Sequence, residues 1–518
     1  MPQEEDPRIL ELRAIRARAK LGGGNARITR HHAKGKLTAH ERLELLLDPG
    51  TFQELEPFAL QEQNPLETND EKYLGDGVVT GYGTVNGRIV YAYAQDFTVS
   101  GGSLGLTHGK KICNVMDLAV RAGAPIVGLI DSGGARIQEG VYALGGYGEI
   151  FRRNAQYSGI IPQISVIMGP CAGGASYSPA LTDLIIMVEG QAFMFLTGPE
   201  VIRTVTGEEI DQETLGGAEA HFGVSGTAHL KATDDKDAIT LVRKVLGYLP
   251  ANNADNPPSV DSGDDAQRMD EELNHLVPLD PSEAYSMHEV IERIVDRGSF
   301  LELQTNFARN AIIGLARMGC GTVGIVGQEP SAMAGVMDIN ASDKISRFIH
   351  FCDCFNIPLV TFVDSPGFLP GSDQEHRGII RHGAKVLFAY SNATVPKISI
   401  ITRKAYGGAM IVMSSKMLGA DIAYAWPSAE IAVMGPDGAA NILFRKQIDA
   451  APDPAAERAR IIEDYRRRFL NPYAAAGANY IDDVIEPRET RLKVILALQA
   501  LHDKFVPTLP RKHGNSPV

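Results

Sequence analysis

Two stretches of this 518-residue sequence have residue types and spacing suited to chemistry. PQISVIMGPCAGGA (162–175) and PKISIITRKAYGGA (396–409) match without a gap, and each carries an apolar run, ISVIM or ISIIT, that leads on to Gly-Gly. A strand that runs into Gly-Gly and then a helix leaves backbone N–H groups pointing at one spot. Gly173-Gly174 and Gly407-Gly408 allow close approach because they carry no side chain, and Ala172, Ala175 and Ala409 leave the space clear. Such a nest can hold negative charge developing on a carbonyl oxygen, an effect worth about 3 kcal/mol per donor. One isolated Gly-Gly is more simply a tight turn or a close packing of helix on sheet. Two at equivalent places favour function, and two oxyanion holes suit a reaction between two carbonyl-bearing partners.

Other candidates are weaker. Asp131-Ser132-Gly133-Gly134 has the look of a serine-nucleophile turn, but no GxSxG surrounds it. Its counterpart Asp364-Ser365-Pro366-Gly367 sits at a similar strand end, which favours turn chemistry for both. His31, His32 and His382 are candidate bases; no cluster with metal-ligand spacing accompanies them, so no metal is expected. Cys113, Cys171, Cys320, Cys352 and Cys354 form no CxxC pair and read as small buried side chains in a reducing compartment. The basic runs Arg30–Lys36 and Arg466–Arg468 could meet phosphates, although a solvated helix face is the commoner reason for such runs.

The elements that must position these residues occur twice. LLLDPGTFQEL (45–55) is matched by RIVDRGSFLEL (293–303), and IVGLIDSGGARI (126–137) by LVTFVDSPGFLP (359–370). The offset is 248 from Asp48 to Asp296, 233 from Asp131 to Asp364, and 234 from Gly173 to Gly407. So constant an offset over three motifs indicates tandem duplication of a domain. The Pro-, Asn- and Asp-rich stretch 249–266 reads as the linker, which gives domains 1–258 and 259–518. Continuously apolar runs such as IVGLID and LVTFVD suit strands buried on both faces. Helical patterns at 110–123 and 343–356 separate them, so the expected fold is α/β with largely parallel sheets and ββα-type units. Residues 8–20 are expected to form an amphipathic helix, and 455–469 a surface helix.

A net charge of −13 argues against nucleic acid as the main partner. The acidic start MPQEEDPR lacks an apolar signal region, and no apolar run is long enough to cross a bilayer, so a cytoplasmic protein is expected.

At this point the sequence resembles a known family. GKLTAHERLELLLDPGTF, DSGGARIQEG, GPCAGGASYSPALTD, DINASDK, GFLPGSDQE, GIIRHGAK and RKAYGGA are similar to segments of biotin-dependent acyl-CoA carboxyltransferases, above all the propionyl-CoA carboxylase β subunits and their methylmalonyl-CoA transcarboxylase and decarboxylase relatives. The resemblance implies a tandem pair of ClpP/crotonase-like domains in a homohexamer, with an active site where the N domain of one subunit faces the C domain of another. It implies that Gly173 and Gly174 receive the thioester oxygen of acyl-CoA, and that Gly408 and Ala409 receive the ureido oxygen of biotin. It further assigns Ser100, Gly133, Gly134, Ala135, Tyr142, Ala172, Met410 and Ile411 to the substrate, and Pro366, Gly367, Phe368, Tyr406 and Gly407 to the biotin side. Coenzyme A enters as part of the substrate. With no A-M-K-M motif and no ATP-cradling loop, biotin carboxylase and biotin carboxyl carrier functions fall to a partner chain. The ureido nitrogen left when CO₂ departs would take the α-proton, so no side-chain base is needed.

Some positions depart from the family pattern. Ile411 stands where propionyl-specific members carry an acidic residue, which makes the wall apolar. Ser100 replaces a bulkier apolar residue, and His376-Arg377 replaces Tyr-Gly. The leading expectation is a carboxylase subunit acting on propionyl-CoA or acetyl-CoA; the alternative is a decarboxylase or transcarboxylase subunit. A crotonase-type hydratase, isomerase or thioesterase would need a carboxylate base beside Gly173-Gly174. A non-catalytic assembly subunit would have no use for both turns.

Overall fold

The structure, a computed structural model, describes residues 5–62, 72–507 and 509–517. The chain forms two compact units, Met1–Asp255 and Asn256–Val518. Among the described residues the first unit contains β1 (Gln53–Leu55), β2 (Val78–Val85), β3 (Arg88–Gln95), β4 (Ile126–Ser132), β5 (Gln163–Ala172), β6 (Leu184–Val188), β7 (Phe193–Phe195) and β8 (Leu230–Ala232). The second contains β9 (Leu301–Leu303), β10 (Ala311–Met318), β11 (Gly321–Gln328), β12 (Leu359–Ser365), β13 (Lys397–Tyr406), β14 (Ile422–Ala425), β15 (Glu430–Ala432) and β16 (Asp483–Val484). The sheet orders are β1-β2-β3-β4-β5-β6-β8, with β7 on β5, and β16-β14-β13-β12-β11-β10-β9, with β15 on β13.

From β3 and from β11 onward the pairings are parallel, as the alternation of strands and helices requires. The first strands of each unit instead run antiparallel. For β2 with β3 and for β10 with β11 the cause is a tight hairpin that the sequence reading passed over. Asn86 (φ 50°) and Gly87 (φ 77°) turn β2 into β3, and Gly319 (φ 57°) and Cys320 (φ 78°) turn β10 into β11. Left-handed backbone at both central residues is the turn that suits strand twist, and Asn-Gly is its strongest signal.

All seven residues of β4 and of β12 are buried, so the continuously apolar runs mark strands covered on both faces. Helices Leu106–Ala122 and Val141–Tyr157 pack together in the first unit, as Ile339–Cys354 and Ile379–Asn392 do in the second. The duplication reaches single interactions. Lys111 donates to the carbonyls of Gly75 (3.0 Å) and Val78 (2.6 Å), and Lys344, 233 residues on, to those of Phe307 (2.8 Å) and Ala311 (2.7 Å). Burial pulls both amines down to about 8.

The N-terminal segment folds as the helix Pro7–Lys20, but the expected amphipathic face is largely missing. Ala19 is buried and Leu12 and Ile15 are half-buried, while Ile9 and Leu10 lie exposed. Helix Pro454–Phe469 is the expected surface helix, with Ile461 its buried residue. No described helix is long and apolar enough to cross a membrane.

His288 ties three elements of the second unit together. Its imidazole lies 3.1 Å from Glu302 of β9 and 2.8 Å from Glu329, whose carboxylate also accepts the Met287 N–H at the start of helix Met287–Ile294. The hydrogen bonds to Glu302 and then Glu329 push the imidazole up to about 9. Its folded value exceeds the unfolded value of about 6.5, so the stabilisation is complete below that pH and is lost as pH rises through about 9. The melting-temperature gap between the wild type and His288→Gln should therefore narrow above about pH 8. A gap that does not change with pH would contradict the ion-pair account.

Candidate active site

Each buried central strand ends in the Gly-Gly turn foreseen for it. β5 passes through Ala172 into a 3₁₀ turn, Gly173–Ser176, and a single helical turn, Tyr177–Ala180. β13 passes through Tyr406 directly into helix Gly407–Val412. Gly173 has φ +64° and Gly407 φ +56°, so both turns need glycine at their first position. The second glycine of each faces a ring. A Cβ on Gly174 would meet Tyr147 at 3.9 Å, and one on Gly408 would meet Phe368 at 3.6 Å. Ala175 and Ala409 are buried behind them. The N–H groups of a first helical turn have no acceptors within the helix, so both turns offer donors beside a flat apolar wall.

The strand-end serines serve their own turns. The Gly134 N–H donates to Ser132 Oγ at 3.1 Å, and the Gly367 N–H to Ser365 Oγ at 3.3 Å. The aspartates before them anchor buried cations: Asp131 holds Lys36 at 2.6 Å and Arg42 at 3.0 Å, and Asp364 holds Arg403 at 3.0 Å. The candidate histidines are also engaged. His31 lies 3.2 Å from the Leu37 carbonyl, and burial, partly offset by Asp131, lowers its pKa. His32 pairs with Glu41 at 2.9 Å, and His382 with Asp343 at 2.8 Å. Burial drives the Cys171 thiol far up, which rules it out as a nucleophile. Among the described residues no group of His, Cys, Asp and Glu is arranged to hold a metal.

A cavity of about 960 Å³ opens in the first unit. Arg27, Arg30 and Lys34 line it together with Ser100, Gly133 and Ala135. Three positions assigned to the substrate by resemblance thus share one cavity with the basic run. Arg30 and Lys34 of that run are exposed and both line this cavity. Gly134 links the wall to the Gly-Gly turn, for a Cβ there would lie 2.8 Å from the Ala172 carbonyl. Tyr142 is exposed on helix Val141–Tyr157. Arg27 escaped the sequence reading; it donates to the Thr98 carbonyl and to Tyr73 Oη, both at 3.1 Å.

In the second unit, Met410 is half-buried and Ile411 exposed on helix Gly407–Val412. Tyr406 is buried and donates to Glu430, another residue the sequence reading passed over. Burial, followed by that carboxylate, drives the phenol far above its usual range. Arg377 pairs with Asp373 at 3.4 Å on the surface, so the charge that departs from the family pattern is partly answered within its own turn.

Paired Gly-Gly turns on a duplicated α/β frame, one linked through Gly134 to a basic cavity, are the features the chain's relatives must account for. Residues 30–516 match the carboxyl transferase domain, and the chain belongs to that family. It is 54% identical over 513 residues, 99% of each chain, to the carboxyltransferase subunit of propionyl-CoA carboxylase from Haloferax mediterranei. It is 56% identical over 502 residues, 97% of each chain, to the α subunit of methylmalonyl-CoA decarboxylase from Veillonella parvula. The transcarboxylase 12S structure, a hexamer with methylmalonyl-CoA bound, superposes with a TM-score of 0.97 at 49% identity over 100% of both chains. The chain is accordingly a carboxyltransferase subunit of the propionyl-CoA carboxylase type, built from two crotonase-like domains.

Proposed function

We propose that the chain moves a carboxyl group between biotin on a partner protein and the α-carbon of a short-chain acyl-CoA, propionyl-CoA or acetyl-CoA. The observation that carries this reading is the repeated turn: a left-handed glycine ending a buried central strand in both units, one turn adjoining a cationic cavity. Gly173 and Gly174 hold the thioester oxygen as it gains enolate charge, where each donor contributes about 3 kcal/mol. Arg27, Arg30 and Lys34 hold the phosphates of coenzyme A. Gly408 and Ala409 donate to the ureido oxygen, and the Phe368 ring beside Gly408 is a flat wall of the kind a ureido ring can lie against. Bound biotin supplies the carboxyl group and, once that has left, the nitrogen that accepts the α-proton. The Tyr147 and Phe368 rings flank the two glycines on one side and leave the other side open to a ligand.

The domains are assigned as 1–258 for acyl-CoA and 259–518 for biotin. The active chain is a homohexamer in which these domains of different subunits meet, as the likeness to the 12S hexamer supports. A biotin carboxylase and carrier subunit completes it. The five free cysteines favour a reducing compartment, the cytoplasm. Running the same transfer in the opposite direction, as a decarboxylase or transcarboxylase subunit, is favoured by Ile411, whose exposed apolar side chain stands in the acidic position. With free biotin and malonyl-CoA or methylmalonyl-CoA, the assembled chain alone should show slow carboxyl transfer. Absence of transfer with every malonyl-type thioester would overturn the assignment.

A further inference from the structure

The two units share a strained turn ahead of the helices Leu106–Ala122 and Ile339–Cys354. Ser100, Gly101 and Gly102 have φ of 48°, 63° and 65°, and Met333, Ala334 and Gly335 have φ of 51°, 53° and 70°. A Cβ on Gly102 would lie 2.0 Å from the Asp131 carbonyl, and one on Gly335 would lie 2.3 Å from that of Asp364. The turns therefore sit over the ends of β4 and β12. The hydrogen bonds beyond them also correspond. Leu104 N–H donates to Gly134 O and Met337 N–H to Gly367 O, both at 2.9 Å. Arg136 N–H donates to Leu104 O at 2.9 Å and Leu369 N–H to Met337 O at 2.8 Å. In the first unit this wall faces the cavity through Ser100, Gly101 and Gly133.

The correspondence breaks at one bond. Gly133 N–H donates to the Gly101 carbonyl at 2.9 Å and so takes up one of its two lone pairs and fixes its direction. The matching residue of the second unit is Pro366, which has no N–H to give. Among the described residues no backbone or side-chain donor replaces it at the Ala334 carbonyl. That carbonyl stays an open acceptor on exposed left-handed backbone, a conformation that costs a non-glycine residue about 1–3 kcal/mol and tends to persist at ligand sites. Pro366 leads through Gly367 to Phe368, whose ring lies against Gly408.

We propose that the Ala334 carbonyl, left open by Pro366, accepts an N–H of the cyclic urea bound at Gly408, with Met333 covering the ring from the side. A urea is both acceptor and donor. The Gly408 turn offers N–H groups to its oxygen, and this carbonyl takes the hydrogen of the nitrogen that carries no carboxyl group. Ala334 is then a positioning group for the ring, and Met333, exposed and unbranched, sets how well the ring is enclosed. The inference rests on the second unit's being the biotin side.

The test is biotin-dependent decarboxylation of malonyl-CoA by the assembled chain with free biotin. Pro366→Gly copies the first unit and restores the N–H, and Pro366→Ala restores it with less slack. Both should raise the KM for biotin about fivefold to tenfold, the loss of one net hydrogen bond, and leave the KM for malonyl-CoA unmoved. Biotin methylated on the non-carboxylated ureido nitrogen should lose a similar factor on the wild type and little further on Pro366→Gly. Unchanged biotin KM in both variants, or an equal penalty for the methylated biotin on wild type and variant, would overturn the proposal. A wild-type chain with no biotin-dependent turnover at all would overturn the carboxyltransferase reading and this proposal with it.

Discussion

Gly408→Val is expected to abolish carboxyl transfer while leaving acyl-CoA binding intact. Gly408 lacks the left-handed backbone of Gly407, so a side chain there is not excluded by φ. A Cβ would sit 3.6 Å from the Phe368 ring, an ordinary contact, but the two γ-methyls of valine have only the ring or the space in front of the turn to occupy. Either choice blocks the N–H donors from a ureido oxygen, and losing even one such donor costs about 10²–10³ in rate. The acyl-CoA cavity is lined by residues of the first unit, so coenzyme A titrated calorimetrically should bind the variant as it binds the wild type. Equal loss of both properties would indicate misfolding, and retained transfer would remove Gly408 from the site. Gly407→Ala is the poorer probe: at φ +56° and with the Val433 carbonyl 3.0 Å from the added Cβ, it strains the fold itself.

The parts of the fold legible from sequence were those written in long-period signals. β4, β12 and the cores of β5 (ISVIM) and β13 (ISIIT) are apolar because these strands are buried on both faces, and their recurrence at a nearly constant offset revealed the duplication. The Gly-Gly turns were legible for the same reason, since each stands at the same distance beyond such a run, after Gly169–Ala172 in one copy and Arg403–Tyr406 in the other. Shorter signals were harder. The Asn86-Gly87 hairpin occupies two residues, yet it reverses the direction of the first strands, and in the second unit Gly319-Cys320 does the same work with a less distinctive pair. The amphipathic N-terminal helix was overestimated because its apolar residues are spaced for a face that only Leu12, Ile15 and Ala19 complete.

Within the site, the residues missed were those whose role depends on a distant partner. Arg27 reaches the cavity because its guanidinium is steered by the Thr98 carbonyl, 71 positions away. Tyr147 backs Gly174 from another helix, and Glu430 answers Tyr406 from β15. No local pattern encodes such pairs. The basic run was visible, but whether a run of cations is solvated or lines a cavity is decided by what the rest of the unit folds against it. For Lys36 the answer was neither, because it is buried on Asp131.

That burial makes Asp131→Ala the most destabilising change expected in the first unit. Asp131 is fully buried and draws Lys36 and Arg42 to one carboxylate at the end of β4. Arg42 keeps Asp235 at 2.8 Å, so the ammonium of Lys36 is the charge left with no paired anion, facing the Phe97 ring at 5.3 Å. Breaking a buried pair from one side costs about 3–5 kcal/mol, or roughly 6–15 °C in melting temperature for a domain of this size. Asp364→Ala should cost less. Arg403 retains the Glu283 carbonyl at 2.7 Å and the Tyr285 ring at 4.8 Å. The pH dependence separates charge from cavity. Burial already lowers the Lys36 pKa, and Asp131 is the main group opposing that shift, so its removal lets the amine deprotonate more readily. A depressed lysine leaves the unfolded chain binding more protons than the folded one, and stability then rises with pH. The Asp131→Ala deficit should shrink as pH is raised from about 6 to about 9; a constant deficit would mean that lost packing, not an unpaired cation, sets the cost. Lys36 and Arg42 also fasten β4 to the segment that carries Arg30 and Lys34, so the same variant should raise the KM for acyl-CoA even at temperatures where it remains folded.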